Sequence, residues 1–193
     1  MSMTKDDVIV LPHQNLRKRS QKVGIITPQI HQMIEDMKSA TISWEQSRDH
    51  EVGVALAAVQ VNHLYRIVVI RNNYDNKDDL TFTTFINPAI TKLEGDIEED
   101  YEGCLSVKDI YGKVPRYTKV RVKALDEQGK EFRVTAEGFL ARIFQHEIDH
   151  TNGILFVDHI KGNTNAFYRL KDDGVLQQLD YKKDIADNKA LWS

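Results

Sequence analysis

The sequence is poor in most of the features that mark special classes of protein. It has a single cysteine, Cys104, in 193 residues. No intrachain disulfide and no all-cysteine zinc site can form, and a lone thiol suits a reducing compartment, the cytoplasm by default. Four prolines and ten glycines are scattered without a linker-like tract, a repeat or a low-complexity segment. No apolar run approaches the ~20 residues of a membrane span. Neither sign of charge dominates: 26 Lys and Arg stand against 29 Asp and Glu, interspersed. That leaves no clustered basic face for nucleic acid. The first seven residues carry Asp6 and Asp7 and no apolar stretch, which speaks against a secretory signal or an Arg-rich transit peptide. What is present is an ordinary core-forming composition, 41% hydrophobic, and a length that fits one domain over 1–193.

Periodicity gives the elements. Thr27 and Pro28 form a helix start, and Ile30, Met33, Ile34, Met37 and Trp44 recur at helical spacing over 27–47. Residues 66–70 and 81–86 are β-branched and strand-like, the second ending at Asn87-Pro88. Residues 119–125 alternate Val120, Val122 and Ala124 against Arg121 and Lys123, then turn at 127–130 into a strand at 132–135, a hairpin. A second helix begins near 136–138 and stops at Asn152-Gly153. Phe139, Leu140, Ile143, Phe144 and Ile148 make it apolar on more than one side, which predicts a buried central helix. The tail, 161–193, is expected to be helical at 167–170 and 175–181. The fold class is therefore α+β: antiparallel β-sheets around one buried helix, with a C-terminal helical tail.

That buried helix carries His146-Glu147-Ile148-Asp149-His150, an H-E-x-x-H pattern. Positions i and i+4 lie ~40° apart around a helix, so both imidazoles face one way and can share a metal ion. Glu147 stands beside them, near enough to act on a water at the metal without being a ligand. An exposed H-E-x-x-H is often only a polar face. Here two imidazoles and a carboxylate sit on an apolar helix, where burial without a partner is costly.

A catalytic metal needs a third protein ligand. A histidine six residues after His150 would complete a common protease motif, but that position is Phe156, and His159 comes too late. A downstream glutamate is excluded because none follows Glu147. Asp158 has no supporting motif. Upstream lies Cys104, in Glu102-Gly103-Cys104-Leu105-Ser106. Gly103 permits close backbone approach, Leu105 brings an N–H that can face a substrate, and a divalent cation would stabilise the thiolate. A second cluster of small residues, 53–60, ends in Gln60, whose amide offers two N–H donors.

Three segments together, GVALAAVQ (53–60), EGCLS (102–106) and QHEIDH (145–150), resemble the peptide deformylase family, in that order and at similar separations. The resemblance extends to Ile86-Asn87-Pro88 and Val114-Pro115-Arg116 and covers about 10–160. It implies that Cys104, His146 and His150 are metal ligands, that Glu147 is the general acid/base, and that Gln60 and the Leu105 N–H hold the oxyanion. It also implies the reaction, removal of the formyl group from the N-terminal methionine of nascent chains, and one divalent ion, Fe²⁺ ahead of Zn²⁺, Ni²⁺ or Co²⁺.

Gly53, Val54, Ala55, Gly103, Phe139, Arg142 and Ile143 are the candidate substrate residues. Val54, Phe139 and Ile143 form an apolar wall, and Arg142 is one turn before His146. Ala55 stands where the family usually has a second glycine. A positive φ there would cost about 1–2 kcal/mol. The acidic run Glu98-Glu99-Asp100-Tyr101 reads as a solvated strand edge. From Asn163 onward five basic residues face five acidic ones, giving no electrostatic case for ribosome docking through the tail. Two other readings stay open: an H-E-x-x-H metallopeptidase with a third ligand other than Cys104, and a deformylase-like binding protein that has lost turnover, with Ala55 as the lesion.

Overall fold

A proline at the first helical position has its φ already set, so Pro28 starts α1 (Pro28–Glu45). Thr27 occupies the N-cap position, but its side chain makes no capping bond. Ile30, Met33, Ile34, Met37, Ala40 and Thr41 form the buried stripe, and Trp44 is only half-buried. The computed structural model describes residues 2–48 and 50–193. Among these, no helix is long and apolar enough to cross a membrane.

Two strands follow, β1 (Ala55–Ala57) and β2 (Ile67–Arg71), buried at every position. The reason is a helix on each face. Leu56, Ile67 and Val69 pack with α1 residues such as Met33 and Met37. The alternate residues Ala55, Ala57, Val68 and Ile70 pack with Phe144 and Ile148 of α2 (Gly138–Thr151). A strand covered on both sides needs apolar residues throughout, not alternation.

The long strands β3 (Phe82–Cys104) and β4 (Val107–Leu125) pair antiparallel through several bulges. The expected strand end at Asn87-Pro88 is one of these. Asn87 takes φ 54°, its side chain bonds both the N–H and the carbonyl of Val23 at 2.8 and 2.9 Å, and pairing with β4 resumes at Ala89. A bulge is where a sheet tolerates a proline. The hairpin from β4 to β5 (Glu131–Glu137) forms as expected, with Val120, Val122 and Ala124 buried. Glu98, Glu99, Asp100 and Tyr101 lie exposed on the stretch of β3 that pairs only with β4.

The α2 helix starts at Gly138 (φ 56°) directly from β5 and buries residues on several sides, including Ala141, Phe144 and Ile148. It stops at Gly153, whose φ of 76° suits glycine and where a Cβ would lie 2.5 Å from the Arg17 carbonyl oxygen. A short helix, α3 (Phe156–His159), follows.

The tail corrects the sequence reading. Residues 167–170 and 175–180 are not helical, and of the expected second segment only Tyr181 falls in a helical turn. They contain β6 (Phe167–Leu170) and β7 (Leu176–Gln178), a hairpin that joins β4 through Tyr111 and Gly112. Gly174 at φ 79° and the Asp173 side chain, which accepts from the Val175 N–H at 3.0 Å, build its turn. Helical turns appear only beyond it, a π turn at Tyr181–Ile185 and α4 (Lys189–Trp192). The sheet runs β1-β2-β3-β4-β6-β7 with β5 also on β4, antiparallel at every pairing. This is the expected α+β class.

Candidate active site

The two histidines of α2 are one turn apart, and their Nε2 atoms lie 3.2 Å from each other. Cys104 closes β3 just before the tight turn into β4 and brings its Sγ to 3.3 Å from His150 Nε2. All three donors lie within 4.8 Å of one another. Nitrogens on a tetrahedral ion with bonds of about 2.0–2.1 Å are about 3.4 Å apart, so the donors need little rearrangement to share one. One thiolate sulfur and two imidazole nitrogens form a set that suits several first-row divalent metals.

Electrostatics favour a cation at the same point. Burial disfavours charge on both imidazoles. For His150 burial prevails and holds the pKa well below the ordinary value, which keeps the ring neutral, as a metal ligand must be. For His146 burial is overridden by the Cys104 sulfur and the Glu102 carboxylate beside it, and the pKa is held well above the ordinary value. A positive charge between these groups is thus stabilised, and a proton or a divalent ion can supply it.

Glu147 follows His146 and is buried, and its Oε2 has no hydrogen-bond partner among the described residues. Burial pushes its pKa up to about 7. Gln60 is held by its own amide oxygen, which accepts from the Ala57 N–H at 2.9 Å. That fixes the amide's other end toward the site, with Nε2 3.6 Å from Cys104 Sγ and 3.3 Å from Ser106 Oγ. Leu105, next to Cys104, borders the same cavity. The cavity holds about 490 Å³, a size typical of small-ligand sites. Cys104, His146, Glu147 and Gln60 all line it.

The candidate substrate residues divide. Val54, Ala55, Gly103, Phe139, Arg142 and Ile143 border the cavity. Gly53 does not. It packs behind the wall, where a Cβ would lie 2.7 Å from the Thr41 carbonyl oxygen of α1, so its smallness serves helix packing. Ala55 sits in β1 opposite Ile70, outside the positive-φ positions, so the conjectured backbone strain is absent. Arg142 borders the cavity, yet its guanidinium donates to Glu102 Oε1 (2.9 Å), the Val114 carbonyl (2.7 Å) and the Glu98 carbonyl (2.8 Å). It ties α2 to β3 and β4. Gly103 makes room for the Tyr111 ring, whose Cε1 would be 2.5 Å from an added Cβ.

Asp158, the other conceivable third ligand, is occupied elsewhere, accepting from Arg17 at 2.6 Å and the Leu155 N–H at 2.8 Å. Phe156 stacks on the His146 ring at 6.1 Å between centroids.

The residue that sequence reasoning missed is Glu102. Its buried carboxylate takes Arg116 Nε and Nη2 at 2.9 and 3.1 Å, Arg142 at 2.9 Å and His146 Nδ1 at 3.0 Å. These cations overcome the burial penalty and hold its pKa far below the usual carboxylate range. The bond to Nδ1 leaves Nε2 of His146 free toward the donor cluster, as carboxylates behind metal-binding histidines commonly do. A signal existed: Glu102 is two residues before Cys104 on a strand, so both side chains face the same way.

Comparison with known proteins agrees with this geometry. Residues 5–166 match the family model for polypeptide deformylase. The chain is 43% identical over 143 residues to peptide deformylase 2 of Clostridium acetobutylicum, covering 74% of this chain and 87% of that one. It is 37% identical over 174 residues to peptide deformylase 1 of Pseudomonas syringae pv. tomato, covering 90% and 94%. Among solved structures, the peptide deformylase of Legionella pneumophila is similar at TM-score 0.71 and 40% identity, over 82% of this chain and 86% of that one. A Met-Ala-Ser-bound peptide deformylase of Acinetobacter baumannii is similar at TM-score 0.70 and 31% identity, over 83% and 99%. With the fold, the donor cluster and most of the chain in agreement, the protein belongs to the peptide deformylase family, the metal-dependent hydrolases that remove the N-terminal formyl group from nascent proteins.

Proposed function

We propose that Cys104, His146 and His150 hold a single divalent ion, with Fe²⁺ as the working metal, and that Glu147 carries the proton in deformylation of formyl-methionyl chains. The observation that carries this reading is the convergence of three soft and borderline donors on one point, beside a buried carboxylate with an oxygen that has no partner among the described residues. When bound, the ion supplies Lewis-acid activation of a water and of the formyl carbonyl.

The chain's own groups do the rest. Glu147 takes the proton of the attacking water and returns it to the amine as the formamide C–N bond breaks, releasing formate and a free N-terminus. Its raised proton affinity suits a group that must both accept and give a proton near neutrality. The Gln60 amide, locked by Ala57, and the Leu105 N–H meet the negative charge growing on the formyl oxygen. Glu102 holds the His146 ring in its tautomer. Val54, Phe139 and Ile143 receive the methionine side chain on an apolar wall of the cavity. The A. baumannii relative was solved with Met-Ala-Ser bound, which supports a methionyl product for this site. A working thiolate ligand also favours the reducing conditions of the cytoplasm.

The test is formate release from a formyl-Met peptide by anaerobically purified protein, with metal content measured on the same sample. Glu147→Gln is expected to keep the metal and to lose at least about 100-fold in kcat, the range of a general acid/base. Full turnover in that variant would remove Glu147 from the role.

A further inference from the structure

The cavity's outer margin is formed by exposed residues, among them His50 and Tyr101, with the half-buried Glu51 beside them. Glu51 accepts a hydrogen bond from the Tyr111 hydroxyl. His50 Nε2 lies 3.2 Å from the main-chain oxygen of Asp172, in the turn between β6 and β7. At Gly174 of that turn an added Cβ would be 3.3 Å from the His50 ring. Tyr101 meets Tyr168 of β6 edge to face, with centroids 4.9 Å apart at 85°. Tyr168 is also the residue that pairs with Tyr111 in the sheet. One hairpin thus contacts His50, Tyr101 and Tyr111, all of which line the cavity, and it lies beyond residue 166, where the family match ends.

We propose that the β6–β7 hairpin, through Tyr168 and its turn at 171–174, positions this margin and so sets how tightly the enzyme binds the peptide residues that follow the formylated methionine. The inference rests on the site reading above. If the formyl group reaches the floor at Cys104 and Glu147 and the methionine side chain takes the Val54, Phe139 and Ile143 wall, the continuing chain leaves past the exposed margin. Tyr101 is 40% exposed there. An exposed aromatic ring already fixed by a second ring loses little freedom when a peptide packs on it. The ligand class is an extended peptide with apolar or aromatic side chains at its second and third positions. Tyr168 does not line the cavity, so it acts as a positioning residue.

The experiment compares two substrates, formyl-Met amide and formyl-Met-Leu-Phe, on the full-length metal-loaded enzyme and its Tyr168→Ala, Tyr168→Phe and Gly174→Val variants. Tyr168→Ala is expected to raise KM for the tripeptide about fivefold, the scale of one aromatic pair, with kcat and the kinetics on formyl-Met amide unchanged. Tyr168→Phe keeps the ring and is expected to behave as the parent. Gly174→Val, on the exposed turn, should shift KM for the tripeptide in the same direction as Tyr168→Ala. An unmoved tripeptide KM, or an equal rise on both substrates, overturns the proposal. Should Tyr168→Ala fail to fold, seen as loss of both activities and of the circular dichroism spectrum, the same comparison on Gly174→Val decides. No formate from either substrate with the parent enzyme would sink the site reading itself, and this inference with it.

Discussion

Replacing Glu102 by Gln removes one charge and no volume, so no cavity contributes to the outcome. The carboxylate accepts two donors on each oxygen: Arg116 Nε and Arg142 on Oε1, Arg116 Nη2 and His146 Nδ1 on Oε2. A glutamine amide can accept on one side only. Its NH₂ must face either two guanidinium N–H groups or one guanidinium N–H and the imidazole. Both arginines are buried. Arg116 keeps Asp149 at 2.6 Å, but among the described residues Arg142 pairs with Glu102 alone, so the variant leaves the Arg142 charge uncompensated, at a cost of about 3–5 kcal/mol. Against a total stability of about 5–15 kcal/mol, that is a large share. If the NH₂ turns to His146, it donates to Nδ1 and the proton moves to Nε2, which then has no lone pair for a metal. Metal affinity should fall about 10–100-fold.

Urea unfolding at neutral pH measures the first effect, and competition with a chromogenic chelator the second. The folded-state pKa of Glu102 is lowered from 4.5, so its contribution is complete above the ordinary carboxylate range and is lost only as pH falls through the depressed value. The gap between parent and variant should persist through neutral pH and close only in strong acid. A stability loss under about 1 kcal/mol with unchanged metal affinity would refute the reasoning, since breaking a buried ion pair is expected to cost several times that.

Gln60→Ala should lower kcat by about 100–1,000-fold while metal content is kept, as removal of one oxyanion donor does; steady-state kinetics with metal analysis will check it. Gly53→Ala pushes a methyl to 2.7 Å from the Thr41 carbonyl oxygen and should lower stability by about 1–3 kcal/mol, read by thermal unfolding, with specific activity of the folded fraction preserved. In chelator-treated protein, Glu147 has its folded pKa raised from 4.5 to about 7. The folded state then holds the proton more tightly, so stability is full below the unfolded pKa and falls as pH rises to about 7. The metal-free Glu147→Gln variant should therefore gain on its parent by about 3 kcal/mol between pH 4.5 and 8, measured by urea unfolding at both pH values. An unchanging difference would contradict this assignment.

Much of the site could be read from the chain because its groups sit on regular elements. The i and i+4 spacing of His146 and His150 fixes their common face, and Glu147 between them follows from the same geometry. The largely apolar surroundings on that helix announced burial, and the helix ends at the expected Asn152-Gly153 signal. The single cysteine narrowed the third ligand, once Phe156 and the lack of any later glutamate had excluded the downstream choices. The β4–β5 hairpin was equally legible through its period of two.

The remainder depended on contacts between distant segments. Helical spacing at 167–170 and 175–181 is too short to compete with the ladder that β4 offers at Tyr111 and Gly112, and a four-residue run has little helical preference of its own. Gly53 and Gly103 look alike in sequence, yet one makes room for the α1 backbone and the other for the Tyr111 ring. Arg142, placed by spacing on the metal side, is drawn to Glu102 and two strand carbonyls. Local pattern determined which residues of α2 share the face of the donor cluster, since a helix repeats every 3.6 residues whatever surrounds it. Only the tertiary structure decided which carboxylate stands behind His146 and which strands frame the cavity, because Glu102 and His146 are brought together by the packing of α2 on β3 across 44 positions and no local period encodes that distance.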